Sequence, residues 1–131
     1  MLGFAHPEKS ALGVLTQRLI AEANLTQCIE ASGNLMLDSA TGDFLVNQMR
    51  TGSLDAVIVY RSNAAAALKD LDLVPLSAPD AQATQPFAIA HATDHFRTLD
   101  RLLDALTEPS SRQRFDALGF GWEQPIPADS E

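Results

Sequence analysis

Three segments of the sequence have residue types and spacing that could together hold a small anion. Residues 10–13 and 41–43 each precede an apolar run with helical spacing, and Tyr60 ends the apolar run LDAVIVY. The first amides of a helix have no partner inside the helix, and a tyrosine supplies a hydroxyl donor. Groups of this kind can bind an anion without a full positive charge. The chemistry they indicate is recognition of a small ligand.

Each of these segments also has a purely structural interpretation. Capped N-termini are common in helices, so Ser10 by itself indicates only an N-cap. Gly42 fits a tight turn as well as the close approach of a ligand to the backbone. Tyr60, the lone tyrosine of the chain, fits the edge of a hydrophobic core. The anion hypothesis therefore requires that the three segments lie together in the fold.

A second candidate site is His91-Ala-Thr-Asp94-His95, which is similar to the His-x-x-Glu-His pattern of one class of zinc hydrolases. The acid here is aspartate, one carbon shorter than glutamate. The segment also follows PFAIA and precedes a predicted helix, so the two histidines need not share one helical face. We therefore favour solvated polar residues over a metal site. The sequence has no Gly-x-Ser-x-Gly elbow and no Walker-type loop, and we predict no catalytic residue, no metal and no cofactor.

Composition and charge exclude several classes of function. The chain of 131 residues is 46% hydrophobic and 20% charged, which is typical of a folded domain. Its net charge of −8 argues against a nucleic-acid partner, because phosphate backbones are bound by clustered Lys and Arg. The single Cys28 excludes an intrachain disulfide. No apolar run approaches the roughly 20 residues that cross a bilayer, so we expect no direct membrane insertion. The first residues, MLGFAHPEKS, do not have the pattern of a signal peptide.

Four helices are predicted from apolar spacing, caps and helix-ending glycines. They cover residues 11–23 with Ser10 as the N-cap, a segment from Thr41 or Gly42 to Gly52, a segment after a Thr93 cap, and a segment from Pro109 to Gly119. In the second of these helices, the expected buried side chains are Phe44, Leu45 and Met49.

Four strands are predicted from short apolar runs, at residues 34–37, 54–60, 71–76 and 86–90. The run at 54–60 is continuous and β-branched, which is typical of a central strand covered on both faces. Residues 77–85 are predicted to be an exposed loop, and the tail from Gln124 is predicted to be frayed. Helices that alternate with short hydrophobic strands indicate an α/β fold.

Three segments, in order, resemble the periplasmic molybdate/tungstate-type solute-binding proteins. HPEKSALGVLTQRLI resembles that family's Asp-Pro-x-x-x-Pro-Ala-Gly-x-x-Ala helix start. TGDFLVNQMRTGSLDAVIVYRSNA resembles its helix, its Gly-Glu-Ala-Asp turn and its Gly-Ile-Val-Tyr-x-Thr-Asp-Ala strand and loop. QPFAIA and LLDALTEPSSRQRFDALGF resemble its Tyr-Pro-Ile-Ala strand and its final pair of helices. The likeness extends from Phe4 to Phe120.

The resemblance implies capture of a small tetrahedral oxyanion in a cleft between two lobes by neutral hydrogen-bond donors. Matched to the family's motifs, Leu12 and Gly42 would donate backbone amides, and Tyr60 would donate its hydroxyl. Ser10 is an additional donor, one position before the residues that match the family's Pro-Ala-Gly. Asn63 stands where the family usually has aspartate, and this departure leaves the identity of the anion open.

The resemblance also implies a three-layer α/β fold of the type II periplasmic-binding-protein class. Residues 1–85 would form a second-lobe-like α/β segment, residues 86–123 the returning strand and C-terminal helices of the first lobe, and residues 124–131 a flexible tail. The expected partners are the oxyanion, the missing N-terminal lobe and the membrane subunit of an ABC transporter. The location would be periplasmic or extracellular if the chain is part of a longer precursor. The alternative function is the effector-sensing domain of a transcriptional regulator, and a zinc hydrolase is less favoured.

Overall fold

The computed structural model describes residues 1–39, 41–76, 78 and 81–123, without the side chains of residues 37–39. The chain forms two compact units, Met1–Thr84 and Gln85–Glu131. The predicted tail lies outside the described residues, as do three positions of the predicted loop at 77–85. The assignment of parts of the chain to lobes stays a prediction.

The first unit alternates strands and helices around a small parallel sheet. Its elements are β1 (Leu2–Ala5), α1 (Ala11–Glu22), α2 (Thr26–Ser32), β2 (Leu35–Ser39), α3 (Gly42–Arg50), β3 (Ala56–Val57), α4 (Arg61–Ala64) and a 3-10 turn (Ala65–Ala67). The strand order is β2-β1-β3, and β1 pairs in parallel with both neighbours. The expected α/β class is confirmed by this mixture of helices with a parallel sheet.

The two faces of β1 pack against different helices. Phe4 lines a cleft of about 90 Å³ together with Ile20 of α1 and Ile29 of α2. A Cβ placed on Gly3 would instead lie 3.1 Å from Cδ2 of Leu45 in α3. Because successive residues of a strand point to opposite faces, α1 and α2 cover one face of the sheet and α3 covers the other.

The prediction of a central strand over residues 54–60 is wrong. Only Ala56–Val57 pairs as a strand, and it lies beside β1 at one side of the described sheet. The central position belongs to β1, a strand that the sequence analysis did not identify. The run at 54–60 is apolar because Leu54 is buried in the core, and Val57, Val59 and Tyr60 pack against the same core. Its apolar composition therefore reflects packing against this core and not a central place in the sheet.

The strands predicted at residues 71–76 and 86–90 are also wrong. Neither segment pairs with a strand in the described part of the chain. Pro75 and Pro86 have no N–H to donate to a ladder, which restricts both runs as strand partners. Each run exposes apolar side chains, with Val74 78% exposed and Phe87 49% exposed.

The helix starts of the first unit follow their local signals. Ser10 caps α1, with its Oγ accepting from Gly13 N at 3.1 Å, and Thr41 caps α3, with its Oγ1 accepting from Phe44 N at 3.4 Å. Gly52 follows α3 with a φ of 75°, which confirms the predicted left-handed end. Residues 26–32, for which no element was predicted from the sequence, form α2.

The buried face of α3 differs from the predicted one at a single residue. Leu45 is fully buried and Met49 packs against the core, but Phe44 is 47% exposed. With the helix starting at Gly42, the stripe at spacings of three and four consists of Gly42, Leu45, Val46 and Met49. Phe44 lies off this stripe, and Val46 is buried in its place.

The second unit contains α5 (Phe96–Thr107) and α6 (Pro109–Ala117). The predicted Thr93 cap is displaced, because Thr93 Oγ1 accepts from His95 N at 3.1 Å and α5 begins only at Phe96. Pro109 opens α6 as predicted, and Gly119 follows it with a φ of 83°. No helix within the described ranges is both long and apolar enough to span a bilayer.

The position of α1 depends on its close approach to the end of β1 at Gly13. Replacing Gly13 by alanine is expected to lower the free energy of unfolding by about 1–3 kcal/mol, because an added Cβ would lie 2.5 Å from the carbonyl carbon and oxygen of His6. Helix propensity alone predicts the opposite sign, since alanine is favoured over glycine by about 1 kcal/mol. Urea unfolding measures the difference. Val14→Ala, at the next and exposed position, is the control and is expected to change stability by less than about 0.5 kcal/mol. A gain in stability for Gly13→Ala would contradict the close packing.

Candidate functional site

The carboxyl ends of all three strands lie at one edge of the sheet, because the strands are parallel. From this edge β1 leads through residues 6–10 into α1, and β2 leads through Thr41 into α3. The chain beyond β3 reaches Tyr60 and then α4. In open α/β sheets, ligands bind outside the carboxyl ends of the strands. The structure thus brings the three predicted segments to one edge of one sheet.

The start of α1 offers two unused backbone donors. Ser10 Oγ accepts from Gly13 N, and Ser10 O accepts from Val14 N at 3.2 Å. The amides of Ala11 and Leu12 make no hydrogen bond within the described part of the chain. The Ser10 hydroxyl accepts through its oxygen and keeps its hydrogen for donation. Leu12 N and Ser10 Oγ are therefore both available as donors.

The start of α3 has a similar unused donor in a tighter setting. Gly42 is buried, and a Cβ at this position would lie 2.3 Å from Asn63 Oδ1 and 2.6 Å from Asn63 Cγ. Only glycine fits against this side chain without a displacement. The Gly42 amide makes no hydrogen bond to any described residue. The glycine is explained by contact with Asn63, and its amide remains free to donate.

Tyr60 is held at the same edge by the hydrophobic core. It packs against the cluster of Ala5, Leu12, Leu45 and Leu54. Tyr60 therefore shares a core with the side chain of Leu12, whose backbone amide is a candidate donor. Burial raises the pKa of the Tyr60 hydroxyl above its ordinary value of 10.0. The phenol is therefore protonated at neutral pH and able to donate a hydrogen bond.

Asn63 joins the start of α3 to the Tyr60 turn. Its Nδ2 donates to Asp43 Oδ1 at 2.9 Å, and its backbone N donates to Tyr60 O at 3.0 Å. Its Oδ1 is buried and has no hydrogen-bond partner among the described residues. The sequence analysis noted Asn63 only as a departure from a family motif. Its contact with Asp43 spans 20 positions, so no local signal could have predicted it.

A charged side chain also lies at this edge, directly after Tyr60. Arg61 follows Tyr60 directly, is exposed, and begins α4. Only neutral donors were predicted from the sequence, although the position of Arg61 next to Tyr60 was a usable signal. His6, directly after β1, accepts from Glu8 N through Nδ1 at 3.2 Å, a contact typical of a turn residue.

The alternative metal site gains no support from the geometry. His91 and His95 are exposed in the turns that precede α5. Across the described ranges, no group of three or more His, Cys, Asp or Glu side chains is placed to hold a metal ion. Cys28 is exposed and free.

Comparison with known families decides the broad class of the protein. A family model described as bacterial extracellular solute-binding protein matches residues 1–121. The chain belongs to this family. Searches of curated proteins and of solved structures found no match. The resemblance to solute-binding proteins is confirmed at the level of the family, whereas specificity for molybdate or tungstate stays a prediction.

Membership in this solute-binding family indicates the binding component of a transport system that works in the periplasm or outside the cell. Such proteins generally bind a small molecule without converting it and deliver it to a transporter. The donors at the carboxyl edge of the sheet are the candidate ligand contacts of this solute-binding protein, and their individual roles stay predictions.

The environment of Tyr60 predicts how stability depends on pH. The folded protein is expected to release the phenolic proton above pH 10.0, because burial disfavours the phenolate. Between the unfolded and folded pKa values the native state binds more protons than the unfolded chain. The free energy of unfolding should therefore fall as the pH rises through this window. Tyr60 is the lone tyrosine, so the ultraviolet absorbance of its phenolate reports the titration directly.

The control for this titration is the same measurement in concentrated urea, where the midpoint should return to the ordinary tyrosine value. Tyr60→Phe should abolish the absorbance change. A native midpoint at or below that of the unfolded chain would show that the hydroxyl is solvated.

Proposed function

We propose that this solute-binding protein captures a small tetrahedral oxyanion, of the molybdate or tungstate class, at the carboxyl edge of its parallel sheet. The observation that carries the proposal is that three unused donor groups belong to segments that follow strands whose carboxyl ends lie at that edge. These are Leu12 N at the start of α1, Gly42 N at the start of α3 and the Tyr60 hydroxyl, with the Ser10 hydroxyl as a fourth donor.

The electrostatics of the edge suit a fully ionised oxyanion. Helix N-termini carry a partial positive charge that favours anions, and both α1 and α3 begin here. Tyr60 remains protonated at neutral pH because its pKa is raised, and Arg61 adds one full positive charge. A site composed only of donors favours an ion whose oxygens are all acceptors. A protonated oxyanion binds less well there, because its O–H would lack an acceptor.

A second lobe would complete the site. Donors on one side of a tetrahedral ion leave its remaining oxygens facing water, so this edge alone would bind weakly. In the proposed type II arrangement, a second lobe supplies the opposite donors, and the liganded protein docks on the membrane subunit of an ABC transporter. Within the first unit, the exposed apolar side chains of Val74 and Leu76 support such a complement, since exposed apolar surface can mark an interaction site.

Sodium molybdate and sodium tungstate, added separately at millimolar concentration, are expected to raise the melting temperature. An ion that binds only the folded state stabilises it by mass action, by about 2.7 kcal/mol when its concentration is 100 times Kd. Differential scanning calorimetry measures the shift, with sodium chloride at matched ionic strength as the reference. No shift with molybdate, tungstate or sulfate would count against anion binding by this chain.

Tyr60→Phe removes one donor and is expected to weaken anion binding by about 1–3 kcal/mol, measured as Kd by isothermal titration calorimetry. The matched control is Thr51→Val, which removes a hydroxyl at the opposite, C-terminal end of α3. The control should bind the anion as wild type does. An unchanged Kd in Tyr60→Phe would remove Tyr60 from the proposed site.

A further inference from the structure

We propose that Asn63 is a positioning residue, which holds the Gly42 amide and Tyr60 in register through its hydrogen bond to Asp43. The effect of Asn63 on ligand affinity rests on the proposed function, whereas its effect on Gly42 does not. The two can therefore be tested separately.

The contacts of Asn63 tie three elements of the candidate site together. Its side chain donates to Asp43 Oδ1 in the first turn of α3, and its backbone N–H donates to the carbonyl of Tyr60. Its Oδ1 and Cγ lie against the Cα of Gly42, where no Cβ would fit. A shift of this one side chain would therefore move the start of α3 relative to the Tyr60 turn.

The hydrogen bond needs a donor at position 63. Asp43 is already a carboxylate in the first turn of α3, where it is favoured by the helix dipole. It lies in the same turn as the Gly42 amide, and the Asn63 side-chain amide donates a hydrogen bond to one of its oxygens. Aspartate at position 63 would instead place two carboxylates in contact, and these repel unless one of them is protonated. Asparagine supplies the donor that Asp43 requires.

The experiment compares Asn63→Asp with the double variant Asp43→Asn/Asn63→Asp. The double variant exchanges the amide and the carboxylate, so it restores the hydrogen bond with the partners reversed and keeps the wild-type net charge. Thr51→Val, at the far end of α3, is the neutral control. Two quantities are measured for each protein, the Kd for molybdate and the ¹⁵N order parameter of the Gly42 amide without ligand.

At neutral pH, Asn63→Asp is expected to weaken molybdate binding at least tenfold and to lower the Gly42 order parameter. Both should recover to near wild-type values in the exchanged double variant. If Asn63 had a purely structural role, the variants would differ in melting temperature, but the Kd and the Gly42 order parameter would not be lost in Asn63→Asp and recovered in the double variant.

The outcomes separate this inference from the proposed function. If wild-type protein binds no anion, the proposed function fails, and the Gly42 order parameter alone decides whether Asn63 positions the amide. If wild type binds and Asn63→Asp binds equally, the positioning role is overturned. If Asn63→Asp fails to fold, the exchanged double variant decides, because it must fold and keep Gly42 ordered. Failure of the exchange to restore order would also overturn the inference.

Discussion

The close contact between the start of α1 and the end of β1 is the constraint on which the first unit depends. Gly13 lies so near the backbone of Ala5 and His6 that no Cβ fits between them. This contact holds the unused amide of Leu12 beside the carboxyl edge of the sheet. It also brings the Leu12 side chain into one core with Ala5 and Leu45. The placement of a donor and the packing of the core are therefore two consequences of a single approach of helix to strand.

Features encoded within a few residues could be predicted from the sequence, and features that depend on distant partners could not. The caps at Ser10 and Thr41 and the proline that opens α6 act on the adjacent turn, so the corresponding helices begin where expected. Sheet order depends on which strands pair across the chain. The four-residue strand β1 carries no alternating pattern, yet it takes the centre of the sheet. The apolar runs at 71–76 and 86–90 have strand-like composition without a described strand to pair with.

In the candidate site, too, local features could be predicted from the sequence and contacts between distant residues could not. Its three segments were recognisable because helix starts and strand ends share one edge in a parallel sheet, and that geometry holds whatever the strand order. The link between the segments was not recognisable. The hydrogen bond from Asn63 to Asp43 and the contact of Asn63 with Gly42 exist only after α3 and α4 have packed together. From the sequence, a turn could explain Gly42. In the structure, the contact with the Asn63 side chain in α4 explains it.

An acidic protein that binds an anion must hold its donors closer to the ligand than its carboxylates. The chain carries a net charge of −8, but exposed charges farther away than about 8 Å are largely screened at physiological ionic strength. Donors in contact with the ion act over hydrogen-bond distances, where screening is weak. In the proposed site, Asp43 is a carboxylate that would repel the anion, since it shares the first turn of α3 with the Gly42 amide. The hydrogen bond from Asn63 gives that carboxylate a partner of its own. In the proposed site, anion binding would therefore depend on the contact of Asn63 with Asp43 as well as on the donors themselves.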